Sequence, residues 1–151
     1  ISKYEKNIFL VETKADILYS NGFLSEALLF YEKIILKNTK NKYINKRIFD
    51  IKFYKNKSNK KFLSKKLFNE YSILLNIFFN DKELNEKFKK LAINANLFEW
   101  NKYFSNKENF YINMIEHREY LIIMKEIQTN TKDMNLYNLI KNEMSYINVK
   151  N

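Results

Sequence analysis

Apolar residues recur along the chain at steps of three and four, the spacing that lines one side of an α-helix. Ile8, Val11, Ala15 and Leu18 share one stripe, with Tyr4 a turn earlier, and predict a first helix over residues 3–20. Asn21-Gly22 stops it, because glycine enters the left-handed conformation of a helix C-cap without a Cβ clash. Leu24, Ala27, Leu28, Tyr31, Ile34 and Ile35 predict a second helix that enters at or just before Ser25 and ends in the polar KNTKN. Ile44, Ile48 and Ile51 place a third over residues 41–54.

The lysine-rich run KNKSNKK, residues 55–61, reads as a solvated linker. Ser64 is expected to cap a fourth helix with two apolar rows, Leu67, Tyr71, Leu74, Phe78 and Phe68, Leu75, Phe79, a face broad enough for burial on more than one side. NDKE reads as a capping box with Asn80 as N-cap and Glu83 reaching back, and the helix after it carries Leu84, Phe88, Leu91, Ala92 and Ala95. NLFEWNKYF then reads as a shorter helix, and SNKE as a second box with Ser105 as the cap. A long helix follows through Met114, Ile115, Arg118, Leu121, Ile122 and Lys125, TNTKD interrupts it, and a last helix holds Tyr137, Ile140, Met144 and Ile147. The expected fold is all-α, about eight helices stacked as antiparallel hairpins. The expected division is residues 1–54, the linker 55–61, and a helical bundle or degenerate repeats over 62–151.

Composition narrows the choice in the same direction. One glycine and no proline in 151 residues leave almost none of the positive-φ turns that a sandwich or barrel requires. The absence of cysteine removes disulfides and thiolate metal sites, and fits a reducing compartment. No apolar run approaches the roughly 20 residues of a membrane span; the richest, YSILLNIFF, is much shorter. The opening stretch ISKYEKNIFLVETK carries acidic residues within its apolar run and no small-residue cleavage site, unlike a secretory signal.

The net charge of +10 is almost all lysine, Arg47 and Arg118 being the only arginines. Lysine is a point charge without the planar fork that reads guanine or clamps phosphates in pairs. Heavy use of Lys, Asn, Ile, Phe and Tyr also makes lysine a default surface residue. In the stretch KNKSNKKFLSKK, however, Phe62 is interleaved with Lys57, Lys60, Lys61, Lys65 and Lys66, a pattern able to track a phosphate backbone.

Around Gly22 the residues resemble a tetratricopeptide repeat, two antiparallel helices in about 34 residues. Ala15 matches a small position of the first helix, Leu18 and Tyr19 its large closing positions, and Gly22 the turn. Glu26-Ala27-Leu28 opens the second helix, Tyr31 matches the repeat's aromatic, and Lys33 and Ile35 its end. Lys14, Ile34 and Thr39 depart from the pattern, where the family prefers leucine, alanine and proline. The likeness spans residues 3–40; one period on, Phe49 and Asn56 occupy the small-residue and glycine positions. The resemblance implies an adaptor whose stacked hairpins hold a peptide, helix or assembly subunit of another protein. Partner-binding candidates are Tyr4, Val11, Lys14, Trp100 and Tyr103, where Trp100 is read either as an aromatic anchor for a partner or as a core aromatic closing a helix pair. The alternative is a basic helical protein contacting RNA or another polyanion within a ribonucleoprotein, through Lys57, Lys60, Lys61, Lys65 and Lys66.

Catalysis is not expected. The one histidine, His117, lies in EHRE between Glu116 and Glu119, with no accompanying nucleophile or glycine-rich turn. No Glu-x-x-His spacing supports a carboxylate metal site, and one glycine cannot make a phosphate-binding loop. No cofactor is implied.

Overall fold

The computed structural model of the protein describes residues 3–37, 40–56, 60–112 and 117–150, and their side chains except at 3–6, 109–112, 117 and 147–150. The described residues form eight α-helices and one 3-10 segment, with no strand among them. They divide into two compact units, Ile1–Lys57 and Ser58–Asn151.

The first unit holds α1 (Lys3–Ser20), α2 (Leu24–Lys37) and α3 (Lys42–Lys55). Gly22 has φ +83°, its N–H donates to Tyr19 C=O at 3.1 Å, and Phe23 N–H donates to Leu18 C=O at 2.9 Å. This pair of bonds is a Schellman C-cap, which satisfies carbonyls that the end of α1 leaves open. A Cβ on Gly22 would meet nothing within 4 Å, so the dihedral rather than space demands glycine. α2 folds back along α1, with Ala15 and Ala27, one from each helix, both fully buried. Small side chains there let the two backbones approach while larger ones interlock around them.

α3 starts at the N-cap Asn41, whose side chain accepts from Ile44 N–H at 3.1 Å, and it buries Ile44, Ile48, Phe49 and Ile51. Its C-cap, Asn56, has φ −82° and ψ 69°, so the left-handed turn of Gly22 does not recur one period later. Phe49, one period beyond Ala15, is fully buried and fills the space a small residue would leave open.

In the second unit, α4 (Lys61–Tyr71), the 3-10 segment Ser72–Asn76, α5 (Lys82–Asn94), α6 (Phe98–Ile112), α7 (His117–Asn130) and α8 (Met134–Lys150) each pack on the next α-helix in order. α8 then returns to the 3-10 segment, so the bundle closes on itself. Asn142 donates to Asn76 Oδ1 at 3.2 Å, and the Tyr146 ring meets Phe79 edge-on at 4.8 Å. The core is aromatic: Trp100 lies 4.9 Å from Phe68 and 5.9 Å from Phe104, and Phe68 lies 5.5 Å from Phe88.

Local expectations fail at Ser64, Ser72, Asn80 and Ser105, and at Ser64 and Ser105 the reason is that packing outweighs a cap. Ser64 does not cap α4: it lies inside the helix, fully buried beside Leu67, Phe68 and Tyr71 on the core face, and Lys60 takes the N-cap position. Of the expected linker, residues 55–61, Lys55 ends α3, Lys61 begins α4, and residues 57–59 lie outside the described residues. The fourth helix tightens at Ser72, and three residues per turn bring Ser72 and Leu75 to one buried side while Ile73 stays exposed. Asp81, not Asn80, caps α5, accepting from Leu84 N–H at 3.0 Å; its charge also suits the positive helix N-terminus. Ser105 caps nothing and lies exposed within α6, because the buried stripe Trp100, Tyr103, Phe104 and Lys107 runs straight past it. The expected helix positions Met114 and Ile115 lie outside the described residues.

Candidate functional site

An open groove lies on the first hairpin, lined by Asn7, Ile8 and Val11 from α1 and by Lys33, Ile34, Leu36 and Lys37 from α2. Early residues of α1 face late residues of α2, as an antiparallel pair requires. Ile34 forms the buried floor, whereas Leu36 is 83% exposed. One helical row carries Asn7, Val11 and Lys14, so Lys14 continues the groove wall by a turn. The Lys14 and Lys33 ammoniums reach the same Phe30 ring at 4.8 and 5.3 Å, which puts two cations beside the apolar trough. Below it, buried Tyr31 donates its hydroxyl to Asp16, clamping α2 to α1. Burial, reinforced by Asp16, pushes the Tyr31 hydroxyl well above the ordinary tyrosine range.

Of the predicted partner-binding residues, Val11 therefore lines this groove, and Lys14 lies a turn beyond it on α1. Tyr4 belongs to α1, and its side chain lies outside the described residues. Trp100 and Tyr103 do not belong to a surface: they are 3% and 0% exposed inside the second unit, and their rings pack the aromatic core. Trp100 Nε1 donates to Asp133 Oδ2 at 2.9 Å, and Asp133 Oδ1 accepts from Asn135 and Leu136 N–H at the start of α8. One carboxylate thus holds the indole and caps a helix.

The predicted polyanion residues fall differently. Lys60, Lys61, Lys65 and Lys66 are all exposed, the last three on the regular helix α4, and Lys57 lies outside the described residues.

The chain was compared with known proteins. No family model, curated protein or solved structure matches it. Its own residues must therefore carry any functional reading.

Those residues include a buried polar cluster that the sequence did not announce. Lys107 Nζ donates to Phe79 C=O, to Tyr103 Oη at 3.0 Å, and lies 3.1 Å from Glu143 Oε1. Tyr103 Oη donates to Glu143 Oε2 at 2.7 Å, and Tyr120 Oη donates to Oε1. Burial pushes the Lys107 ammonium below the ordinary lysine range, and the Glu143 carboxylate pulls it back toward the charged form. With three acceptors around three protons, Lys107 is a structural tie rather than a nucleophile. The available signal was a charge in register with an apolar stripe, Lys107 with Trp100, Tyr103 and Phe104, and Glu143 with Leu136, Leu139 and Ile140. A shallow pocket lined by Lys82, Asn85, Lys89 and Phe104 opens beside this cluster.

Among the described residues no three His, Asp or Glu side chains gather to hold a metal, and no helix is long and apolar enough to cross a membrane. His117 opens α7, and its side chain lies outside the described residues.

Proposed function

We propose that this chain is a non-catalytic protein–protein interaction module or scaffold subunit whose first hairpin, tetratricopeptide-like in its turn and helix-crossing residues, docks a segment of another protein. The observation that carries this reading is the groove of Ile8, Val11 and Ile34 left open beside Lys33 and Lys14. An occupant with apolar side chains toward the trough and carboxylates toward those lysines matches it in shape and charge. A second left-handed cap supports the stacked-hairpin reading. Asn96, between α5 and α6, has φ +55°, and Leu97 N–H donates to Ala92 C=O at 3.0 Å just as Phe23 does to Leu18.

The test is a pull-down from the source lysate with the full chain, treated with nuclease, beside the variants Val11→Asp and Ile8→Asp. Both sites are half-buried, so circular dichroism checks that each variant keeps its helicity. The expected result is one protein retained after nuclease by the parent chain and lost from both folded variants. Capture that vanishes with nuclease, or that both variants retain in full, overturns the reading.

A further inference from the structure

The first two turns of α4 present a lysine-rich face whose first acidic residue, Glu70, comes only in the third turn. Ser64, Leu67, Phe68 and Tyr71 turn into the core. At 100° per residue the opposite side carries Phe62 at its centre, with Lys61 and Lys65 along one flank and Lys66 along the other. Phe62 is 75% exposed. The first turn of α4 contains no acidic residue, and the N-cap Lys60 makes no side-chain capping bond. Four cations thus crowd the helix end where positive charge is least welcome. The start of α5 differs: it opens with Asp81 and Glu83 beside Lys82, and Lys87 lies 3.3 Å from Glu83.

We propose that this face of α4 binds single-stranded nucleic acid, with a base stacked on Phe62 and the flanking phosphates on Lys60, Lys61, Lys65 and Lys66. An unpaired strand offers both groups together, because only an unstacked base can lie on an exposed ring while its phosphates remain free. Lysine point charges without arginine make the contact electrostatic and indifferent to sequence. A membrane surface fits less well, since an interfacial helix presents a broad apolar side and α4 turns its own inward. This site lies in the second unit and does not depend on the hairpin groove.

Fluorescence anisotropy with a labelled oligouridylate of about 15 nucleotides tests the full chain. Neutralising three or four phosphates predicts log K against log salt with a slope of about −2 to −3, or roughly a hundredfold or more from about 20 to about 200 mM salt. Lys61→Glu with Lys65→Glu is expected to weaken binding about tenfold or more and to flatten the slope. Phe62→Ala is expected to weaken it about fivefold or more while leaving the slope unchanged. Acidic residues suit a helix N-terminus, so the charge-reversed variant keeps its helicity, which circular dichroism verifies. Lys125→Glu with Lys141→Glu changes net charge equally at exposed sites elsewhere and is expected to leave affinity within about twofold. The proposal is overturned by absent binding, by equal losses in both double variants, by a Phe62→Ala variant that binds like the parent, or by tighter binding to phosphatidylserine vesicles than to the oligonucleotide.

Discussion

Lys107 and Glu143 meet at 3.1 Å inside the second unit, 2% and 3% exposed, and through them four parts of the bundle share one polar centre. Lys107 and Tyr103 come from α6, Tyr120 from α7, Glu143 from α8, and the Phe79 carbonyl from the loop before α5. Such a centre fixes how helices register, because a shifted helix would strand a charge in an apolar core.

Removing one partner is therefore expected to be costly. Glu143→Leu leaves the ammonium without its counter-charge and should lower stability by about 3–5 kcal/mol in urea unfolding. Lys107→Met with Glu143→Leu should lose about 1–3 kcal/mol less than Glu143→Leu alone, because the second change removes the orphaned charge. A double variant whose loss equals the sum of the Lys107→Met and Glu143→Leu losses would show that the pair is not coupled.

Asp133 joins two tasks, and its loss should reveal both. Asp133→Ala is expected to cost about 2–4 kcal/mol, combining a lost N-cap with an unpaired indole N–H. Trp100 is the one tryptophan, so its emission reports the site directly. A red shift in the folded variant is expected; an unchanged spectrum and midpoint would detach Asp133 from Trp100.

The two left-handed caps differ in what they tolerate. Gly22→Ala should destabilise by about 1 kcal/mol, since alanine meets strain at φ +83° although its Cβ has room. Asn96→Gly should stay within about 0.5 kcal/mol of the parent, because asparagine already accepts this conformation and glycine accepts it freely. Thermal midpoints of the two variants decide the point.

Ala27→Leu should force α1 and α2 apart and cost about 1–3 kcal/mol, the usual penalty for overfilling a packed contact. Chemical denaturation measures it. A midpoint equal to the parent's would mean that the hairpin does not close at Ala27.

Alkaline pH should loosen the same hairpin. The folded-state value of the Tyr31 hydroxyl lies above that of the unfolded chain, near 10. Its contribution is therefore complete below about pH 10 and declines as pH rises beyond that, because only the unfolded chain readily releases the proton. Parent and Tyr31→Phe chains unfolded in urea at about pH 8 and pH 11 should show the larger loss in the parent. Equal losses would remove Tyr31 from the account.

Much of the fold was written locally. The stripe through Ile8, Val11, Ala15 and Leu18 and the solitary Gly22 specify α1, its end and its return, because helix periodicity and positive φ act within a few residues. Ile8 and Val11 of that same stripe line the groove of the first hairpin. What tertiary structure decided was which local offers prevailed. A cap at Ser64 or Ser105 is worth about 1 kcal/mol, whereas burying a single large side chain is worth about 1.5–3, so the core stripes of α4 and α6 overran both serines. It also decided that Trp100 and Tyr103 face inward, that Lys107 finds Glu143 across 36 positions of chain, and that Phe62 is left outside among lysines. Lys107 and Glu143 become neighbours only when the bundle closes, and no short stretch of sequence carries that information.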